Sequence, residues 1–195
     1  MNYILASKSP RRKEILENLG VAFEIVTADT DESSDERDPH RLVEILSERK
    51  GLAVRDKLLS EGHDLSDTVI ISSDTVVAID GQILGKPQDA DDARRMLRLL
   101  SGRTHEVVSG VALIGNDRIG VAHEITEVTF DKWDGETVEK YISVARPYDK
   151  AGAYAIQGLA SAWIKGIRGC YFNIVGLPVH RLNTLYGEIF GEKFL

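Results

Sequence analysis

Residues 68–84 read TVIISSDTVVAIDGQIL. The first twelve are rich in Val, Ile and Thr, residues that suit a pleated, half-buried surface. They predict a long strand over 68–79, the strongest in the chain. Asp80-Gly81 is a two-residue hairpin signal, and QIL returns as a short strand. The turn sets the register: Ile79 faces Gln82, Val77 faces Leu84, and continuation would set Thr75 against Lys86. Asp74 falls in the middle of the strand. A carboxylate there is expensive unless it is paired, hydrogen-bonded or bound to metal; the plainer alternative is an Asp that holds a neighbouring backbone turn. Strict alternation puts Lys86 on the Thr75 face. Gly85 and Pro87 break the ladder beside it, so the long lysine can reach either side, and a structural salt bridge to Asp74 is its plainer role.

Strands and helices alternate outward from this hairpin, which predicts an α/β fold. Toward the N-terminus, 2–6 reads as a strand and 9–19 as a helix, with Ile15, Leu16 and Leu19 on one face and Gly20 as the stop. Residues 23–26 read as a second strand. The acidic run ADTDESSDERDP is a loop, and a helix covers 40–58. Toward the C-terminus, 89–100 reads as a helix with acids first and bases later, as the helix dipole favours. Strands follow over 105–114 and 119–130, then a helix over 135–144. Two more strands are expected at 161–167 and 170–174, and a last helix at 178–190. No repeat, low-complexity tract or linker interrupts the pattern, so residues 1–195 are expected to form a single domain.

The chain is long enough to bury a proper core. Its apolar content of 43% and charged content of 28% are those of ordinary globular proteins. A net charge of -7 argues against general attraction to nucleic acid or an anionic membrane. No apolar run is long enough to span a bilayer, and no basic stretch precedes an apolar one at the N-terminus, as a signal peptide would require. Cys170 is the one cysteine. No internal disulfide can form, which fits a reducing cytoplasm, and Cys170 is expected to pack.

Positive residues therefore need local explanations. In LASKSPRR, residues 5–12, Ser9 and Pro10 read as a helix start. Lys8, Arg11 and Arg12 crowd that start, the wrong helix end for cations. Solvated side chains are one reading. The other is an anion: free backbone N–H groups, the helix dipole and arginine all attract phosphate. DKAGAYAIQG, 149–158, combines small residues that let backbone approach a ligand with Gln157, a donor and acceptor of the kind a base edge requires. A tightly packed Gly/Ala turn explains the small residues equally well. Glu32 and Lys50, taken singly, read as surface charges.

Together these segments resemble the Maf family, named for septum formation and read as nucleoside triphosphate pyrophosphatases. The resemblance runs nearly end to end through LASKSPRR, the ERK of the second helix, SSDTVV, GKP, SGRTHEVVSGV, DKAGAYAIQG and the VGLP of 175–178. It implies a mixed, curved sheet flanked by helices, with two lobes around a central cleft. It implies hydrolysis of a nucleoside triphosphate to monophosphate and pyrophosphate with a divalent metal, Mg²⁺ or Mn²⁺. By similarity Asp74 is the catalytic carboxylate, and Ser7, Arg11, Arg12, Glu32, Lys50 and Lys86 line the phosphate end. One branch of the family prefers dTTP and UTP, the other 7-methyl-GTP. The first looks like SDT plus IQG, so Arg12, Thr75 and Gln157 point to dTTP and UTP, with modified pyrimidine nucleotides as further substrates. The family also implies a homodimer. Gly51 departs from the family's more usual alanine and costs the helix up to about 1 kcal/mol.

Cleaving the α–β phosphoanhydride requires neutralised phosphate charge, an aligned water and a stabilised leaving group. Arg11, Arg12, Lys50 and Lys86 supply the cations. Asp74, with Glu32, would hold the metal, act as general base, or do both. A 7-methyl-GTP pyrophosphatase and a nucleotide-binding regulator of cell division are the competing readings.

Overall fold

The computed structural model describes all 195 residues. Its elements run β1 (Asn2–Leu5), α1 (Pro10–Asn18), β2 (Glu24–Ile25), α2 (Pro39–Ser60), β3 (Thr68–Ile79), β4 (Gln82–Leu84) and α3 (Ala90–Leu100). β5 (Thr104–Ile114), β6 (Ile119–Phe130), α4 (Gly135–Ala145), β7 (Ile164–Arg168), α5 (Tyr171–Val175) and α6 (Val179–Phe190) complete the chain. Seven strands form one open sheet in the order β2-β1-β3-β5-β6-β7, with β4 added to β3. β1 runs parallel to β2 and β3, and every other pair is antiparallel. The α/β class with a mixed sheet is as expected.

The hairpin sits where its sequence puts it. Val77 opposes Leu84 and Ile79 opposes Gln82, and Asp80 and Gly81 both take the positive φ that this turn demands, 51° and 73°. The ladder stops at Leu84, so Thr75 and Lys86 do not pair.

That early stop creates the central feature of the fold. β5 covers one edge of β3 from Ile70 to Ala78. The opposite edge is shared: β1 takes Thr68–Ile71 and β4 takes Val77–Ile79. Between them the backbone edge of 72–76 has no strand beside it, and Asp74 lies at its centre.

The two faces of β3 carry different elements. Ile70 and Val76 pack under α2, with Val54 and Leu58 at one end and Leu42, Val43 and Leu46 at the other. Glycine lets α2 lie this close. A Cβ on Gly110, opposite Asp74 on β5, would stand 2.2 Å from the Val43 carbonyl oxygen. A Cβ on Gly51 would stand 2.6 Å from Ile114 Cγ1 and 2.8 Å from Ser72 Oγ. At Gly51 the close neighbours are side chains, whereas at Gly110 they include backbone. On the other face two cores form, one around Val69, Ile71, α1 and α6 and one around Val77, Ile79, α3 and α4.

Two C-terminal expectations are corrected. The strand expected at 161–167 begins only at Ile164, after a 3₁₀ turn over Leu159–Trp163. The strand expected at 170–174 is the helix α5. Its Tyr, Phe, Ile and Val favour strands locally, but tertiary bonds decide. Buried Asn173 donates from Nδ2 to the Val107 carbonyl and to Thr126 Oγ1, both at 2.9 Å, bonds made from this turn of helix to two strands. Cys170, half-buried, stands at the start of α5 with its backbone N–H and carbonyl both on Thr126 Oγ1.

Candidate active site

A cleft of about 850 Å³ opens on the uncovered edge of β3. Its walls come from the turn after β1 and the start of α1, the loop of Thr27–Glu32, one side of α2, the Gly85-Lys86 break, and the Asp149–Ile156 segment. Ser7, Arg11, Arg12, Glu32, Lys50, Asp74, Thr75 and Lys86 all line it. The open edge explains how neighbours that point to opposite faces of a strand share one cavity.

Asp74 and Glu32 meet at one cation. Lys50, on α2, places Nζ 2.5 Å from Asp74 Oδ1 and 2.9 Å from Glu32 Oε1. Asp74 and Lys50 are both largely buried, while Glu32 is more than half exposed. Burial works to raise the Glu32 carboxyl, but its bond to Lys50 and the charges of Lys50, Lys86 and Arg12 outweigh it and hold the group below its ordinary range. The salt bridge weighed for Lys86 does not form: Asp74 is taken by Lys50, and Lys86 stands in the cleft without an ion pair.

At the start of α1, Ser9 holds the N-cap position and Pro10 follows, but the Ser9 hydroxyl caps nothing. The amides of Arg11 and Arg12 have no backbone partner. Arg11 lines the cleft with no ion pair of its own; burial depresses its pKa against the opposing pull of Asp149. Arg12 is used differently from a simple phosphate ligand. Its Nε donates to the Gly176 carbonyl at 2.7 Å, Nη1 to Ser7 Oγ at 3.2 Å and Nη2 to Thr75 Oγ1 at 3.2 Å. Of the five N–H donors of a guanidinium, three tie α1 to the turn after β1, to β3 and to the end of α5, and two remain.

Gln157 is not brought in. Its side chain is exposed, and Tyr154, Ala155 and Ile156 line the wall instead. Tyr154 is anchored from behind, its hydroxyl 2.7 Å from Nε2 of the buried His105. Burial holds that imidazole down at about 4 and pushes the Tyr154 phenol up.

Sequence reasoning passed over Ser73, Ser109 and the Gly176 carbonyl, which bind the cleft wall together. Ser73 Oγ lies 2.7 Å from the Gly110 carbonyl oxygen and 3.0 Å from that of Gly176. Ser109 sits directly opposite Thr75 across the β3–β5 ladder. A small hydroxyl residue in a valine-rich strand is the only signal the sequence offers, and it needs the register to be read.

As to a metal, no three His, Cys, Asp or Glu side chains converge anywhere. Asp74 and Glu32 nevertheless converge on a single cation, the Lys50 ammonium. These two hard carboxylates, set among the cations of the cleft, are the kind of donors that suit Mg²⁺ or Mn²⁺.

Fold and cleft define an α/β protein with an acid pair set among cations on an open strand edge, an arrangement suited to a polyanionic ligand. The chain belongs to the Maf family: residues 2–189 match the family model for Maf-like protein. It is 44% identical over 195 residues to a dTTP/UTP pyrophosphatase of Pelotomaculum thermopropionicum, covering 98% of each chain. It is 46% identical over 188 residues to a dTTP/UTP pyrophosphatase of Clostridium acetobutylicum, covering 93% of this chain and 94% of that one. Among solved structures, the Staphylococcus aureus Ham1 protein is 11% identical over 97% of this chain and 91% of that one, with a TM-score of 0.46. No helix is long and apolar enough to cross a membrane.

Proposed function

We propose that this chain is a cytoplasmic nucleoside triphosphate pyrophosphatase, acting as a homodimer, that cleaves dTTP and UTP to the monophosphate and pyrophosphate. The observation that carries the reading is the pairing of Asp74 with Lys50 in the gap of the sheet, with Arg11 and Lys86 unpaired in the same cleft. Relatives that match nearly the whole chain and bear the name dTTP/UTP pyrophosphatase support the substrate class.

In this reading the triphosphate lies against Arg11, Lys86 and the free amides at the start of α1, with the two remaining donors of Arg12 behind them. Arg12, Thr75 and Gln157 set the substrate preference, with Gln157 acting from the rim. Hydrolysis forms a bond from a water oxygen to the α-phosphorus and breaks the bond to the α–β bridging oxygen. Asp74 orients that water and takes its proton; Lys50 holds one carboxylate oxygen and leaves the other without a protein partner. The leaving pyrophosphate departs against Lys86 and Arg11, whose charge is in place before the reaction begins. Glu32 and Asp74 would hold a divalent cation, whose contribution when bound is to neutralise phosphate charge.

The test is pyrophosphate release with Mg²⁺ or Mn²⁺ across dTTP, UTP, CTP, ATP, GTP, 7-methyl-GTP and 5-methyl-UTP. Preference for dTTP and UTP is the expected result. Turnover of 7-methyl-GTP alone would keep the chemistry and overturn the substrate class. Tight nucleotide binding without turnover would favour a regulator.

A further inference from the structure

The hydrogen bonds behind Thr75 fix where its proton points, a feature whose role rests on the reading of the cleft as a nucleotide site. Ser109 is fully buried. Its Oγ lies 2.9 Å from the backbone carbonyl oxygen of Asn173 and 2.8 Å from Thr75 Oγ1. A carbonyl only accepts, so the single Ser109 proton is spent on Asn173. The contact between the two hydroxyls then needs its proton from Thr75. Arg12 Nη2 donates to the same Thr75 oxygen at 3.2 Å. The Thr75 hydroxyl therefore has its proton committed inward and one lone pair occupied, and what it has left for the cleft is a lone pair. If Ser109 turned its proton to Thr75, the Asn173 carbonyl would keep only the Gly176 N–H, 3.1 Å away.

We infer that Ser109 is a positioning residue for substrate selection: it fixes the polarity of Thr75, so that Thr75 accepts a hydrogen bond from a donor group of the nucleotide and rejects an acceptor at the same place. On a pyrimidine nucleotide two groups have that chemistry, the imide N–H of uracil or thymine and the sugar hydroxyl. Cytosine presents a bare ring nitrogen where uracil carries its N–H, so the two bases differ in sign at that point.

The experiment compares two ratios of kcat/KM in the wild-type protein and in Ser109→Ala. One is UTP over CTP, which tests the base. The other is dTTP over its 3′-fluoro-3′-deoxy analogue, which tests the sugar. With Ser109 truncated, the Thr75 proton is free to turn into the cleft. One ratio is expected to fall by roughly tenfold, the scale of a hydrogen bond of mismatched polarity, and the ratio that falls identifies the group. A purely structural Ser109 would lower all four values together and leave both ratios unchanged, and that result would overturn the inference. Should Ser109→Ala not fold, Thr75→Val must collapse one ratio and Thr75→Ser must restore it; unchanged ratios in Thr75→Val would be equally fatal. The same ratios are read as Kd by equilibrium binding. Binding without hydrolysis would defeat the pyrophosphatase reading while leaving the polarity ratios readable. Hydrolysis with unmoved ratios would defeat this inference alone, and nucleotides neither bound nor hydrolysed would defeat both.

Discussion

Asp74 occupies the one stretch of β3 whose outer edge no strand covers, and its charge is balanced by Lys50 at 2.5 Å. Asp74→Asn keeps the shape and removes the carboxylate charge, and with it the proposed base. Its kcat is expected to fall by roughly 10²- to 10⁴-fold, the usual worth of a positioned acid or base, while triphosphate binding measured by calorimetry persists. Near-normal turnover would remove Asp74 from the chemistry. Gln157 poses a different question because its side chain is exposed. Gln157→Glu is expected to hold stability within about 0.5 kcal/mol, as exposed substitutions do, and to lower kcat/KM for dTTP and UTP; an unchanged kcat/KM would take Gln157 out of substrate selection. At this scale the sequence was informative about which residue types gather, since Asp74, Lys50, Lys86 and Arg11 all line one cleft. It was silent on how each is used. Arg12 spends three donors on Gly176, Ser7 and Thr75, and two of those partners are far off in the chain.

Elements decide where these side chains stand, and α2 is the clearest case. Gly110 and Gly51 let the helix lie against the sheet closely enough for Lys50 to reach Asp74. Gly51→Ala sets two effects against each other. Helix propensity gains about 1 kcal/mol, and overpacking typically costs about 1–3 kcal/mol. The atoms in the way belong to the side chains of Ile114 and Ser72, which can shift, so a small net loss is expected. Gly110→Ala meets the Val43 carbonyl oxygen, which is backbone. Here α2 must retreat, and denaturant unfolding should show a larger loss, with kcat reduced as Lys50 withdraws. Equal stability of the two variants would contradict this account of the packing. The β3–β4 hairpin was legible to the residue because its turn is encoded locally by Asp80-Gly81. The end of its ladder was legible from Gly85 and Pro87. α5 was misread because Tyr171–Val175 favours a strand on its own, and the bonds that make it a helix run to Val107 and Thr126 on other elements.

Across the whole molecule, two apolar cores lie on one face of the sheet beside the cleft, and Ile156 packs against both. The core beside the Asp149–Ile156 wall contains a titratable group, His105, which is 2% exposed, has Nε2 on Tyr154 and leaves Nδ1 without a partner. No expectation attaches to this residue in the sequence, and nothing local foretells its partner 49 residues away. Desolvation lowers its folded pKa to about 4, against an unfolded value of about 6.5. The folded state therefore binds fewer protons than the unfolded state between these values, and stability must rise with pH across that window. The neutral imidazole contributes fully above pH 6.5, and the contribution is lost as pH falls toward 4. At about 1.4 kcal/mol per unit the whole effect is on the order of 3 kcal/mol. Carboxylates such as Glu32, held below their ordinary range, add their losses at lower pH. The interval from 6.5 to 5 therefore reports mainly on histidine. Guanidinium unfolding at several pH values should give a positive slope of stability against pH there, and His105→Gln should flatten it. A slope unchanged in His105→Gln would mean that the proton responsible binds elsewhere and that His105 is no determinant of acid stability.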